Sequence, residues 1–252
     1  MSRIFINDAV EAQRLSETTD AMIGQCMSRV LLLYTGGTIG MHNSLEGYVP
    51  VRNYFEQSLR ENPRFHDHNA FGTGIFKEDN PTNTICLDTN PTLKMQLPAL
   101  ITPASLYGKR IRYSVLEYDP LLDSSNMTMQ DWVKIATDIE LNYTLYDSFI
   151  VLHGTDTMAY TASALSFMLE NLGKTVIITG SQVPLSELRN DAVDNLLNAL
   201  TIAGHFVIPE VGLFFDKKLF RGNRSSKVNA LEFNAFDSPN LSPLVHVGIY
   251  SK

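Results

Sequence analysis

Three continuous apolar runs constrain this chain most: RVLLLY (29–34), SFIVLH (148–153) and TVIITG (175–180). None alternates polar with apolar residues, so a strand built from any of them hides side chains on both faces. That is the condition of a central strand in a parallel sheet covered by helices on either side. IRYSVLEY (111–118) reads as another such strand, and EVGLFF (210–215) as a fifth candidate.

Helical patterns fall between these runs. In 128–143 Thr128 reads as an N-cap, and Trp132, Ile135, Ile139 and Tyr143 recur at spacings of three or four. In 156–174 Met158, Ala162, Leu165, Met168 and Leu172 share a face, and Gly173 reads as the stop. A third pattern covers 189–205 and ends near Gly204, and a shorter one lies near Tyr54–Arg60. Strand and helix in alternation predict βαβ units with right-handed crossovers. The expected fold is therefore α/β: a doubly wound, flavodoxin- or Rossmann-like, mostly parallel sheet. Residues 62–110 interrupt the order with Pro63, Pro81, Pro91, Pro98 and Pro103, and read as a Pro-rich insertion or surface excursion. Residues 1–28 read as a loosely ordered or helical extension, neither a secretory signal nor a transit peptide. The domain proper then covers 29–245.

Composition excludes some classes. A formal net charge of −7 over 252 residues argues against a nucleic-acid partner, which needs clustered Lys and Arg. Cys26 and Cys86 stand far apart and outside any CxxC or Cys/His cluster, so neither a disulfide framework nor a metal site is expected. They read as reduced thiols of a cytoplasmic protein. No apolar run approaches the roughly 20 residues that span a bilayer, so no membrane is expected as a partner.

Three loops follow three of the strands: TGGTIG (35–40), HGTDT (153–157) and TGSQVP (179–184). In an open parallel sheet the carboxyl ends of the strands share one edge, and ligands bind there. TGGTIG matches neither GxxxxGK[ST] nor GxGxxG, so it is not a phosphate loop by spacing. A plain Gly-Gly turn is the bland reading. Thr38, with unhindered backbone before it, suits a nucleophile or an oxyanion site instead. Thr155 and Asp156 could simply cap the following helix, yet the five residues of HGTDT are all polar or glycine, more than a cap needs. His153 reads as a strand-end histidine satisfied by backbone, without a catalytic role, and TGSQVP as a strand-end turn closed by Pro184. A hydroxyl nucleophile needs a proton acceptor. No His pairing suggests itself, which leaves Lys227, in FRGNRSSKVNA (220–230), although an isolated Lys is usually a solvated surface charge.

YTGGTIGM (34–41), HGTDTMAYTASALSFMLENLGK (153–174), TGSQVP and LFRGNRSSK (219–227) together resemble the asparaginase/glutaminase family, most of all its cytosolic, type I branch. ENPRFHD (61–67), 113–128 and FVIPEVGLFF (206–215) are similar to the animal members, which are also described with lysophospholipase activity. The resemblance implies hydrolysis of L-asparagine to L-aspartate and ammonia, in the cytoplasm, with no metal or organic cofactor. It implies Thr38 as nucleophile, Tyr48 on a mobile loop assisting it, and a second cluster of Thr155, Asp156 and Lys227. It implies Asp123, Ser124 and Ser125 as substrate-holding residues, with help from Thr155 and Asp156. One local departure is Asp191-Ala192, where the family usually has Asp-Gly. Family members are homo-oligomers, dimers or tetramers. They carry a second, smaller α/β domain, and here the chain reaches only the start of the inter-domain linker, at 246–252. Two other readings follow: a truncated, non-catalytic product that binds partners, and, more remotely, a nucleotide-binding module.

Overall fold

The computed structural model describes residues 27–44, 47–70, 82–87 and 94–248. All of the expected extension except Met27 and Ser28 lies outside these residues, as do Cys26, the FGTG stretch at 71–74 and the last four residues.

The described residues begin with β1 (Met27–Gly36), then a hairpin of β2 (Met41–Ser44) and β3 (Gly47–Pro50), and α1 (Tyr54–Glu61). Next come β4 (Thr82–Cys86), β5 (Lys94–Pro98), β6 (Leu100–Ile101), β7 (Arg110–Leu122), α2 (Met129–Asn142), β8 (Ser148–Leu152) and α3 (Met158–Met168). It continues through β9 (Thr175–Thr179), α4 (Ala192–His205), β10 (Val211–Phe215) and β11 (Lys218–Arg221), and ends in the short strands β12 (Ser226–Lys227), β13 (Phe236–Asp237) and β14 (Val245–His246).

Among the described residues the central sheet has eight strands in the order β14-β11-β10-β9-β8-β1-β7-β6. Its middle, from β10 to β7, is parallel, whereas β6, β11 and β14 join antiparallel at the edges. The five parallel strands are those legible as apolar runs. Their order is the flavodoxin-like one, in which the chain turns back on itself between β1 and β8.

β1 shows why its run is uninterrupted. Val30, Leu32 and Tyr34 face a core layer with Phe55 and Leu59 of α1 and Leu196 and Leu200 of α4. Leu31 and Leu33 face the opposite layer, with Ile135 and Ile139 of α2 and Leu165 of α3. All five β1 side chains are fully buried. Each such aliphatic side chain contributes about 1.5–3 kcal/mol relative to exposure, so a polar residue on either face would be costly.

Local signals mostly worked. Thr128 caps α2 through a capping box with Asp131. One stop signal did not. α3 ends at Met168 rather than at Gly173, because the chain leaves helical geometry at Leu169 and reverses through Asn171 at φ 52°. α4 ends at His205, next to Gly204 as expected; a Cβ on Gly204 would stand 2.6 Å from Ile111, so this glycine also serves close packing. The described parts of 62–110 are also more than a surface excursion. Phe65, Ile85, Leu100 and Ile101 are fully buried, and β6 extends the central sheet. Prolines there punctuate short elements; they do not keep the segment out of the core.

Candidate active site

The site begins with the glycine pair after β1. Gly36 has φ 134° and Gly37 φ 85°, a region L-residues rarely enter. Space is as restrictive as backbone. A Cβ on Gly36 would lie 2.2 Å from Leu122 O, and one on Gly37 would lie 2.5 Å from Gly154 N. The pair is glycine because its backbone touches two other loops, those after β7 and β8. Thr38, directly beyond, opens a single 3-10 turn; it is half-buried, and its hydroxyl has no hydrogen-bond partner among the described residues.

Hydrogen bonds lock the loops together. Thr35 Oγ1 donates to Leu152 O (2.9 Å), tying the ends of β1 and β8. Leu185 N donates to Ile39 O (3.0 Å), tying the loop after β9 to the Thr38 turn. Thr157 Oγ1 donates to Ser124 O (2.7 Å), tying the loop after β7 to the start of α3. The loops that the sequence separates by more than a hundred residues therefore meet at the carboxyl edge, beside the point where strand order reverses.

Thr155, Asp156 and Lys227 converge. Lys227 Nζ donates to Thr155 Oγ1 at 2.9 Å and to Asp156 Oδ1 at 2.8 Å. The lysine side chain is 18% exposed and the carboxylate 70%. This is not the solvated surface lysine of the bland reading. Nor do Thr155 and Asp156 cap the helix: the N-cap of α3 is Thr157, and its hydroxyl is committed to Ser124. The Thr155 hydroxyl donates in turn to Gln182 Oε1 at 3.0 Å. In this arrangement the lysine donates to Thr155, and the threonine proton is held by the amide.

Gln182 is the site residue that sequence reasoning missed, since TGSQVP passed as a turn. Its Nε2 reaches Ala230 O and Glu232 O, bridging to the segment after Lys227. Its backbone N and that of Val183 both donate to the Asp191 carboxylate, at 3.0–3.1 Å. Asn195 adds bonds to Asp191 and to Gly180 O. Burial raises the Asp191 pKa despite these donors, which favour the charged form. An amide in a loop already expected at the carboxyl edge was the available signal.

The remaining expected residues are placed unevenly. Asp123 is exposed and caps a 3-10 turn through Ser125 N (3.0 Å), and Ser125 is exposed beside it. Ser124 is 3% exposed and packs against Gly154, so its side chain is turned inward. Tyr48 stands exposed on the β2–β3 hairpin; its hydroxyl pairs with Glu187, not with Thr38. Desolvation and that carboxylate raise its pKa. His153 is fully buried. Nδ1 lies 2.7 Å from Gly154 O, a pure acceptor, so Nδ1 carries the proton and Nε2 accepts from Thr161 Oγ1 at 2.8 Å. Trp132 Nε1 donates to the same Thr161 oxygen (2.9 Å). Burial lowers the histidine pKa to about 4, which keeps it neutral and structural. Among the described residues no group of His, Cys, Asp and Glu could hold a metal ion, and no helix is long and apolar enough to cross a membrane. Cys86 is a buried free thiol.

Residues 29–251 match the family described as asparaginase, N-terminal. The chain belongs to the asparaginase family. It is 47% identical over 221 residues to L-asparaginase 1 of Escherichia coli, which covers 88% of this chain and 54% of that protein. It is 49% identical over 220 residues to the 60 kDa lysophospholipase of Homo sapiens, covering 87% and 35% respectively. Among solved structures, L-asparaginase I from Vibrio cholerae superposes with a TM-score of 0.69 at 45% identity, over 90% of this chain and 56% of that one. This asparaginase-family chain thus spans about half the length of the L-asparaginases it resembles.

Proposed function

We propose that this asparaginase-family domain carries the reacting groups of an L-asparagine amidohydrolase, with Thr38 as nucleophile. The observation that carries this reading is Lys227 Nζ held between Thr155 Oγ1 and Asp156 Oδ1, residues 72 and 71 positions away in sequence, at the same edge as a Thr38 hydroxyl with no partner among the described residues. The names of the L-asparaginase relatives support the substrate.

The chemistry follows from the donors and acceptors. Thr38 Oγ1 adds to the side-chain amide carbon, and its proton passes toward the amide nitrogen, which leaves as ammonia. Water then bonds to the acyl carbon of the resulting acyl-enzyme, the bond to Thr38 Oγ1 breaks, and the water proton passes by way of the Thr155 hydroxyl to Thr38 Oγ1, while the Lys227 ammonium, held by Asp156, stabilises the negative charge that develops on Thr155. Gln182 fixes the Thr155 hydroxyl direction meanwhile. The exposed Asp123 and Asp156 carboxylates suit the α-ammonium of the substrate, and Ser125 its carboxylate. Tyr48 joins on closure of its hairpin, by exchanging Glu187 for the nucleophile. No cofactor is required by these steps, and the reading places the protein in the cytoplasm.

Ammonia release from L-asparagine by the purified chain tests the proposal, beside Thr38→Ala and Thr155→Ala. Each variant is expected to lose at least about 10²-fold in kcat. Undiminished turnover in Thr38→Ala would overturn the choice of nucleophile.

A further inference from the structure

A cavity of about 740 Å³ opens at the amino edge of the sheet, between the starts of β1 and β7, strand β4 and the loop from α2 to β8. Its size falls within the roughly 300–1,000 Å³ of small-molecule sites. Among the described residues three cationic side chains line it, Arg29, Lys109 and Arg112, against one carboxylate, Asp147. That balance runs against the net charge of −7 of the chain. Arg29 and Arg112 are direct partners in the register of the parallel strands β1 and β7, so they stand about 4.8 Å apart along the sheet and leave it on the same face. Like charges so placed repel one another. Lys174 adds positive charge behind the wall, donating to the carbonyls of Tyr143 and Tyr146.

The neutral polar groups of the wall are occupied. Asn83 Nδ2 donates to Ser114 Oγ (2.9 Å), Thr82 Oγ1 and Thr84 Oγ1 both bond to Gln96, and Ser28 Oγ donates to Gly204 O. Tyr146 donates to Thr84 O (3.1 Å), and Asp147 Oδ2 accepts from the backbone N–H of Arg29 (2.7 Å). The cations divide into two kinds. Arg112 is half-buried, and its fork is fixed at the wall by Nε to Asn83 Oδ1 (2.7 Å) and Nη2 to Thr82 O (2.6 Å). A guanidinium already held in place loses little freedom on meeting an anion. The exposed Arg29 guanidinium and Lys109 ammonium have no hydrogen bond or ion pair among the described residues. Burial raises the Tyr146 pKa, and Arg29 and Arg112 both oppose that rise, so the two charges act on the same wall.

We propose that this cavity binds a small phosphate monoester, with the phosphate among Arg29, Lys109 and Arg112. A monoester dianion brings three terminal oxygens to three cations, and guanidinium forks match phosphate oxygens in pairs. Its charge relieves the repulsion between the two register-paired arginines. The cavity is larger than a phosphate group, and Met27, Leu145 and Tyr146 on its wall suit an organic remainder. β1 runs seven residues from Arg29 to Gly36, about 23 Å, so the ligand lies far from the glycine pair that presents Thr38. This site is independent of the Thr38 reading.

The test is isothermal titration calorimetry of the full chain with phenyl phosphate, beside inorganic phosphate and succinate. Phenyl phosphate is expected to saturate a single site, and to bind at least about 10-fold more tightly than succinate, a dianion of different geometry. Arg29→Gln and Lys109→Gln should each weaken it at least about 10-fold, the loss of one charge-assisted hydrogen bond. Both side chains are exposed, so the variants should keep the fold, which far-UV circular dichroism checks. Arg52→Gln, which removes an exposed cation paired with Asp119 elsewhere, should leave the affinity unchanged. No saturable binding of phenyl phosphate, succinate binding as tightly, undiminished affinity in Arg29→Gln or Lys109→Gln, or an equal loss in Arg52→Gln would each overturn the proposal. Inorganic phosphate binding as tightly as phenyl phosphate would overturn the choice of a monoester. Because affinity is read directly, the outcome is separate from whether the chain releases ammonia.

Discussion

Gly37→Ala is the sharpest perturbation of the turn that presents Thr38. Gly37 has φ 85° and ψ 174°, a conformation essentially reserved for glycine. Placing alanine there costs about 1–3 kcal/mol of backbone strain. The new Cβ would also stand 2.5 Å from Gly154 N, 2.6 Å from Gly154 Cα and 2.9 Å from His153 C. These are backbone atoms, and no rotamer change can move them away. Overpacking of this sort costs another ~1–3 kcal/mol. The two costs together come to roughly 2–6 kcal/mol if the turn holds its position. If it yields instead, the loops after β1 and β8 separate, and a displacement near 1 Å costs about 10²-fold in rate. Urea denaturation followed by far-UV circular dichroism reads the first outcome, and ammonia release the second. A variant within about 0.5 kcal/mol of the parent chain, with unchanged turnover, would refute the reasoning, because it would show that the turn neither needs positive φ nor touches Gly154.

Two other perturbations separate function from stability. Lys227→Met should reduce ammonia release by about 10²-fold or more if the lysine stabilises the charge on Thr155. Its stability cost should stay within about 1 kcal/mol in urea melts, because the partner Asp156 is 70% exposed and the pair is screened; retained turnover would remove Lys227 from the mechanism. His153 gives a pH signature: its folded pKa of about 4 lies below the ordinary 6.5, so between these values the unfolded chain binds more protons. Stability contributed by the neutral histidine is then complete above the unfolded value and falls with acidification, by up to about 3 kcal/mol at pH 4. Asp191, with a raised pKa, works in the opposite sense. The difference between the parent chain and His153→Gln isolates the histidine; parallel stability curves from pH 7 to 4 would show that it is not buried neutral.

The strands that sequence reading recovered and those it missed differ in length and in the turns that lead into them. β1, β8, β9 and β10 carry apolar runs because both their faces are covered, and that requirement is written into consecutive residues. β6 and β14 have two residues each, too few for any period to register. β11 follows β10 through Asp216 and Lys217, both at positive φ (42° and 67°). A turn of that hand usually advertises itself with Asn or Gly, and here it does not. The site divides in the same way. Thr38, Thr155 and Asp156 stood out as polar residues beside glycines at strand ends, whereas Lys227 entered only as the remaining proton acceptor and through the family resemblance. Gln182 did not stand out, because a lone amide in a Pro-closed turn has no pattern around it.

The sequence alone therefore determined the layered α/β class, the strands at its centre and the loops at their carboxyl ends, since burial on two faces and backbone freedom at Gly36 and Gly37 are local demands on residue type. Only the tertiary structure decided which hydroxyl meets which nitrogen. Lys227 reaches Thr155 across 72 residues, and Ser105 reaches His205 across 100. Such pairs are set by strand order and helix packing, and a hydrogen bond constrains the positions of two atoms without constraining the residues between them.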